Sequence, residues 1–192
     1  MLNIKIILGS TRQGRTSEKV LPWIQNVLAD EEGMVFEALD LRDYPMPFYD
    51  EPVSPSQVAD GKYPNDVVRT WAKKIDEADA FLIITPEYNH APPAVLKNAL
   101  DSVYAEWNNK AVGFVSYGSV GGARAVEQLR PVATELQMMP VRVALHIPAP
   151  WNLMDESGSF KTGALDPYAS ALKNLATQLR WWGNALKTAR EK

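Results

Sequence analysis

The chain has 192 residues, 46% of them hydrophobic and 22% charged, with a net charge of -3. That length and balance fit one globular domain with a sizeable core, and so mild an acidity excludes any broad attraction to nucleic acid or an anionic membrane. The absence of cysteine excludes disulfides, thiolate catalysis and cysteine-held metals, and two histidines are too few for a multi-histidine metal site.

The first element is the apolar run NIKIIL at 3–8, which reads as a strand. No charged region followed by a long apolar stretch precedes it, so no secretory signal is expected. No apolar run approaches the roughly 20 residues of a transmembrane helix, and the expectation is a soluble, cytoplasmic protein without membrane contact. Next comes GSTRQGRTS at 9–17, followed by helical spacing at Val20, Ile24, Val27 and Leu28. Pro22 should kink that helix or confine its regular part to the residues beyond the proline. Further strands are expected at 34–39, 80–85, 111–116 and 141–147. The runs FLIIT and VGFVS, like IKIIL, are continuous rather than alternating, as in strands covered on both faces. Helical spacing returns at Val95, Leu96, Ala99, Leu100 and Val103, then at Val126, Leu129, Val132, Ala133 and Leu136, and last at Leu172, Leu175, Ala176 and Leu179. Asp166-Pro167 reads as the start of the last helix, with Asp166 as N-cap.

This alternation predicts an α/β fold, a single domain with helices on both faces of a five-stranded parallel sheet in the order 2-1-3-4-5. One segment breaks the rhythm. Residues 43–64 are rich in proline and carry Tyr44, Phe48, Tyr49 and Tyr63, so the segment should pack over the site, against a partner subunit, or locally on the surface.

Ligands of such sheets bind beyond the carboxyl ends of the strands, near the point where strand order reverses. The loop after the first strand offers Ser10, Thr11, Thr16 and Ser17 hydroxyls, Arg12, Arg15 and Gly14, and it ends at a helix N-terminus. Free amides and the helix dipole there favour an anion, although Ser17 could instead simply cap the helix. The loop also fits the P-loop pattern except that Arg15 replaces its lysine. Neither the third nor the fourth strand ends in the carboxylate that helps hold magnesium, and a guanidinium is a poor substitute for the compact ammonium. The loop after the third strand is Thr85-Pro86-Glu87-Tyr88-Asn89-His90. Tyr88 and Asn89 suit a planar heteroaromatic ring, while Glu87 and His90 could be an acid–base pair or merely solvated. The loop after the fourth strand, Ser116-Tyr117-Gly118-Ser119-Val120-Gly121-Gly122, lets backbone approach a ligand closely.

These motifs, GSTRQGR, TPEYNHAPPAVLKNALD and SYGSVGGARAVEQLRP, resemble those of the NAD(P)H-dependent FMN reductase family of flavodoxin-like proteins, which includes quinone, chromate and azo-dye reductases. The resemblance runs from the first strand to about Ile147. It implies bound FMN, with NADPH or NADH as co-substrate, and hydride passed through FMN to a small acceptor such as a flavin, quinone, azo compound or metal oxyanion. It implies that Ser10, Arg12, Arg15, Thr16 and Ser17 surround the phosphate and ribityl chain. It assigns Pro86, Glu87, Tyr88 and Asn89 to the isoalloxazine ring. Ser116, Tyr117, Gly118, Ser119, Gly121 and Gly122 are assigned to the ring's pyrimidine end. No catalytic side chain and no metal are implied, because FMN carries the chemistry. A homodimer or homotetramer is implied as well. An electron-carrier flavodoxin, a flavin-binding sensor without turnover and a P-loop enzyme are the competing readings.

Overall fold

The computed structural model describes residues 1–59 and 61–192. Its strands are β1 (Leu2–Leu8), β2 (Met34–Asp40), β3 (Ala80–Pro86), β4 (Ala111–Gly118) and β5 (Met139–Pro148). They form one sheet in the order β2-β1-β3-β4-β5, all neighbours parallel, as the alternation predicts. The helices are α1 (Ser17–Val27), α2 (Asp66–Asp76), α3 (Ala94–Asp101), α4 (Ala123–Glu135) and α5 (Ala169–Arg190).

The continuous apolar runs are explained by a core on each face of the sheet. Phe81 and Ile83 of β3 point to the layer of α2, α3 and α4, where they join Trp71, Leu96 and Leu129. Leu82 and Ile84 point to the opposite layer of α1 and α5, where they join Ile24, Leu172 and Leu175. Alternate residues therefore enter opposite cores, and burial on both faces removes the need for polar positions. Lys5 is the exception within β1. It is 1% exposed, and its ammonium pairs with Glu37, its register partner on β2, and with Glu77 at 3.2 Å.

Two helix expectations need correction. α1 begins at Ser17 and continues through Pro22, so its regular part is not confined to the residues after the proline. Pro22 lies on the exposed face, where water can satisfy the carbonyl it leaves without a partner. Asp166 is not an N-cap. Asp166–Tyr168 form a 3-10 turn, and α5 starts at Ala169 without a side-chain cap.

The 43–64 segment packs locally among its described residues; Asp60 lies outside them. Tyr44 meets Trp71 with ring centroids 5.1 Å apart. Asn98 of α3 donates to Pro47 O at 2.8 Å and accepts from Tyr49 N at 3.1 Å. Tyr63 is buried, and its hydroxyl donates to Glu106 at 2.8 Å.

Trp71 holds this side of the molecule together. It is fully buried, donates its indole N–H to Ala99 O at 2.9 Å, and packs on Tyr44 and Trp107. Trp71→Ala is therefore expected to lower unfolding free energy by about 3–5 kcal/mol. Urea denaturation checks this, and limited proteolysis should then cut first within residues 43–64.

Candidate functional site

The carboxyl ends of β1, β3 and β4 bring three loops together at one edge of the sheet. The loop of residues 9–16 is fixed from behind by Arg15. This side chain is 1% exposed, and its guanidinium donates to Ser10 O and to both oxygens of Asp40, one of them at 2.7 Å. Arg15 thus points inward to the end of β2. Arg12 is exposed, and its guanidinium makes no ion pair or hydrogen bond among the described residues. Gly14 has φ +63°, a left-handed turn that favours glycine.

α1 starts at Ser17 after Thr16, with no side-chain cap. Ser17 is fully buried. Its amide donates to the Tyr117 hydroxyl at 3.2 Å, while its own hydroxyl, beside that phenol, has no hydrogen bond of acceptable geometry. The capping role is therefore not what Ser17 does. A buried hydroxyl without a partner is costly, and an uncapped helix N-terminus favours an anion.

Tyrosines tie the other two loops to the first. Tyr88 OH lies 2.9 Å from Ser10 Oγ, while its ring remains 36% exposed. Asn89 and His90, at φ 50° and 68°, form a two-residue turn closed by paired backbone bonds between Tyr88 and Ala91 of 2.9 and 3.0 Å. Both central residues are left-handed, as in a type I′ turn, a conformation asparagine tolerates. Tyr117 is buried, and burial pushes its phenol up to about 12, so it stays neutral and meets the Ser17 amide as an acceptor. The Tyr117 side chain therefore reaches the first loop, although its backbone belongs to the third. Glu87 N donates to Tyr117 O at 3.0 Å, which joins the loops after β3 and β4.

The loop after β4 folds back on itself. Ser116 Oγ donates to Gly121 O at 2.7 Å and lies 2.8 Å from His146 Nδ1. Gly122 has φ +76°, and a Cβ there would stand 2.8 Å from Tyr117 N, so no side chain fits. Ser119 and Val120 at the tip are exposed.

Glu87 and His90 do not act as a free acid–base pair. Arg124, on the first turn of α4, donates to Glu87 from Nε at 2.6 Å and from its amide at 3.1 Å, and its Nη1 lies 2.8 Å from His90 Nε2. Burial raises the Glu87 pKa, but the hydrogen bonds and charge of Arg124 outweigh it and leave the carboxyl lowered, hence ionised.

The structure thus brings Ser10, Arg12, Thr16, Ser17, Pro86, Glu87, Tyr88, Asn89 and the 116–122 loop to one edge. Arg15 is also there, turned to the interior. Sequence reasoning did not single out Asp40 or Arg124. Asp40 ends a strand and Arg124 lies inside the quoted GGARA stretch, so each had a positional signal but no spacing that named its partner.

Burial raises the Asp40 carboxyl, but hydrogen bonds from Arg15 and Arg42 overcome this and hold it well below its ordinary value of 3.8. A carboxyl with a depressed folded pKa adds stability above its unfolded value, and that stability is lost as pH falls below about 4. Asp40→Asn is expected to cost about 2–3 kcal/mol at pH 7, less than a fully buried pair because water reaches Asp40. It should also flatten the fall in stability below about pH 4. Urea denaturation at neutral and acid pH measures both.

The family model of NADPH-dependent FMN reductases matches residues 2–152. An NAD(P)H-dependent FMN reductase of Schizosaccharomyces pombe is 37% identical over 180 residues, covering 94% of this chain and 86% of the relative. A 2-hydroxy-1,4-benzoquinone reductase of Burkholderia is 30% identical over 145 residues, covering 72% of this chain and 73% of the relative. The solved structure of a flavoenzyme NAD(P)H:(acceptor) oxidoreductase from Paracoccus denitrificans superposes with a TM-score of 0.71 at 22% identity, covering 94% of this chain and 98% of that one. At that identity it speaks for the flavodoxin-like fold alone. With most of its length matched, and the fold in agreement, the chain belongs to the NADPH-dependent FMN reductase family.

Proposed function

We propose that the three loops hold FMN, with the phosphate against the 10–17 loop, the ring along 86–89 and its pyrimidine end at 116–122. The protein is an FMN-dependent NAD(P)H oxidoreductase. The observation that carries the site assignment is the start of α1, where an N-terminus without a side-chain cap and the exposed, unpaired Arg12 guanidinium occur together. They supply the hydrogen-bond donors and the positive charge that a phosphate dianion needs.

Bound FMN would supply the redox chemistry, hydride transfer from NAD(P)H and onward transfer of electrons. The chain's part is to bind and orient. Arg12 and Thr16 would anchor the phosphate, while Ser10, Arg15 and the buried Ser17 shape the loop from behind. Pro86 and Asn89 would flank the ring, and Tyr88 offers it an exposed aromatic edge. Ser116, Gly118, Ser119, Gly121 and Gly122 would bring backbone close to the pyrimidine end, where the loop amides would stabilise negative charge. No side-chain acid or base is needed.

The acceptor would be a small molecule bound at the open edge formed by the three loops. The quinone reductase among the relatives favours a quinone, and free flavins, azo compounds and metal oxyanions suit the same open site. We infer a homodimer or homotetramer, supported by exposed Phe48, Val120 and Trp151, which are 77%, 51% and 58% accessible. We also infer a cytoplasmic enzyme, since reduced nicotinamides are available there; no described helix is long and apolar enough to cross a membrane.

Comparing FMN with riboflavin, which lacks the phosphate, tests the assignment. The wild type should prefer FMN. Arg12→Ala should weaken FMN by about tenfold or more, the worth of one charge-assisted hydrogen bond, and leave riboflavin affinity unchanged. Equal losses for both ligands would contradict the phosphate assignment.

A further inference from the structure

Glu87 and Arg124 are opposed charges at the junction of the two loops assigned to the flavin ring. The Glu87 side chain is 5% exposed and that of Arg124 40%. The carboxylate takes the Arg124 Nε–H at 2.6 Å and its amide at 3.1 Å, while the backbone of Glu87 donates to Tyr117 O at 3.0 Å. Gly118 is so near that a Cβ on it would lie 3.3 Å from Glu87 Cβ. Arg124 sits in the first turn of α4, where Gly122 is the N-cap and offers no side-chain cap. The positive end of the helix and the guanidinium therefore face the same place, and a buried carboxylate offsets them.

We propose that Glu87 and Arg124 set the reduction potential of the bound flavin by the balance of their charges. This rests on the assignment of FMN to the three loops. Reduction adds negative charge to the ring. An uncompensated cation beside it favours reduction, and an uncompensated carboxylate opposes it. The pair keeps the two effects matched. Its second task, through Arg124 Nη1 on His90 and Gln128 Nε2 on His90 O at 2.6 Å, is to hold the Asn89–His90 turn. A purely mechanical role and an electrostatic one predict different signs.

The test is a redox titration of FMN-loaded wild type, Glu87→Gln, Arg124→Gln and the double variant at alkaline pH, where Glu87 stays ionised. Glu87→Gln leaves Arg124 unopposed and should shift the midpoint potential positive. Arg124→Gln leaves Glu87 unopposed and should shift it negative. The double variant should return towards wild type. Arg124→Lys keeps the charge and should stay near wild type. For variants that hold FMN weakly, the ratio of affinities for reduced and oxidised FMN reads the same shift. Single variants that move in the same direction, or not at all, overturn the tuning role while the FMN assignment stands. A wild type that retains no FMN overturns both.

Discussion

The Arg15 guanidinium is the constraint on which the site depends. It is buried between the first loop and the end of β2, where an unpaired cation would cost several kcal/mol. Asp40 meets it with both oxygens, and Ser10 O takes a further N–H. The pair therefore fixes the loop's path and the place of Ser10 and Ser17. To those two residues the tyrosines of the other loops are tied, Tyr88 through its hydroxyl to Ser10 and Tyr117 through its hydroxyl to the Ser17 amide. That anchor sets the first loop against the other two, which are joined to each other by Glu87 N and Tyr117 O.

The resulting site is made chiefly of backbone, hydroxyls and aromatic edges. Its one buried carboxylate, Glu87, is neutralised by Arg124, and its histidines are engaged, His90 by Arg124 and His146 by Ser116. Such a site is poorly equipped for acid–base catalysis and well equipped to orient a cofactor that brings its own chemistry. An apolar cavity of about 290 Å³ lies elsewhere, within the 43–64 segment, lined by Tyr49, Val53, Val58 and Tyr63 among others. Glu51 and Lys62 also line it, but it lies away from the strand-end loops, which carry the motifs that resemble the family's.

The fold was largely legible because its cause is local. The runs IKIIL, FLIIT and VGFVS are strands without polar positions, and only a sheet covered on both faces buries them. The helix faces, such as Leu172, Leu175, Ala176 and Leu179, were legible from spacing for the same reason. The glycines and hydroxyls of the three loops marked the site's edge, because topology gathers the loops after parallel strands there. Spacing could not reveal pairing across the sequence. Arg15 reads as a phosphate cation until Asp40, 25 residues away, is seen to hold it. Glu87 reads as an acid or base until Arg124, 37 residues on, is seen beside it. Pro22 reads as a helix breaker, but its exposed position lets water meet the orphaned carbonyl. Propensity is a local quantity, and these outcomes were decided by tertiary surroundings.

If the three loops form a flavin site served by a reduced nicotinamide, the protein's colour should report both. The most direct measurement is the visible spectrum of the protein loaded with FMN and freed of excess, before and after anaerobic addition of NADPH. A yellow protein that bleaches on addition is expected. A protein that keeps no FMN, or a yellow one that neither NADPH nor NADH can bleach, would contradict this reading.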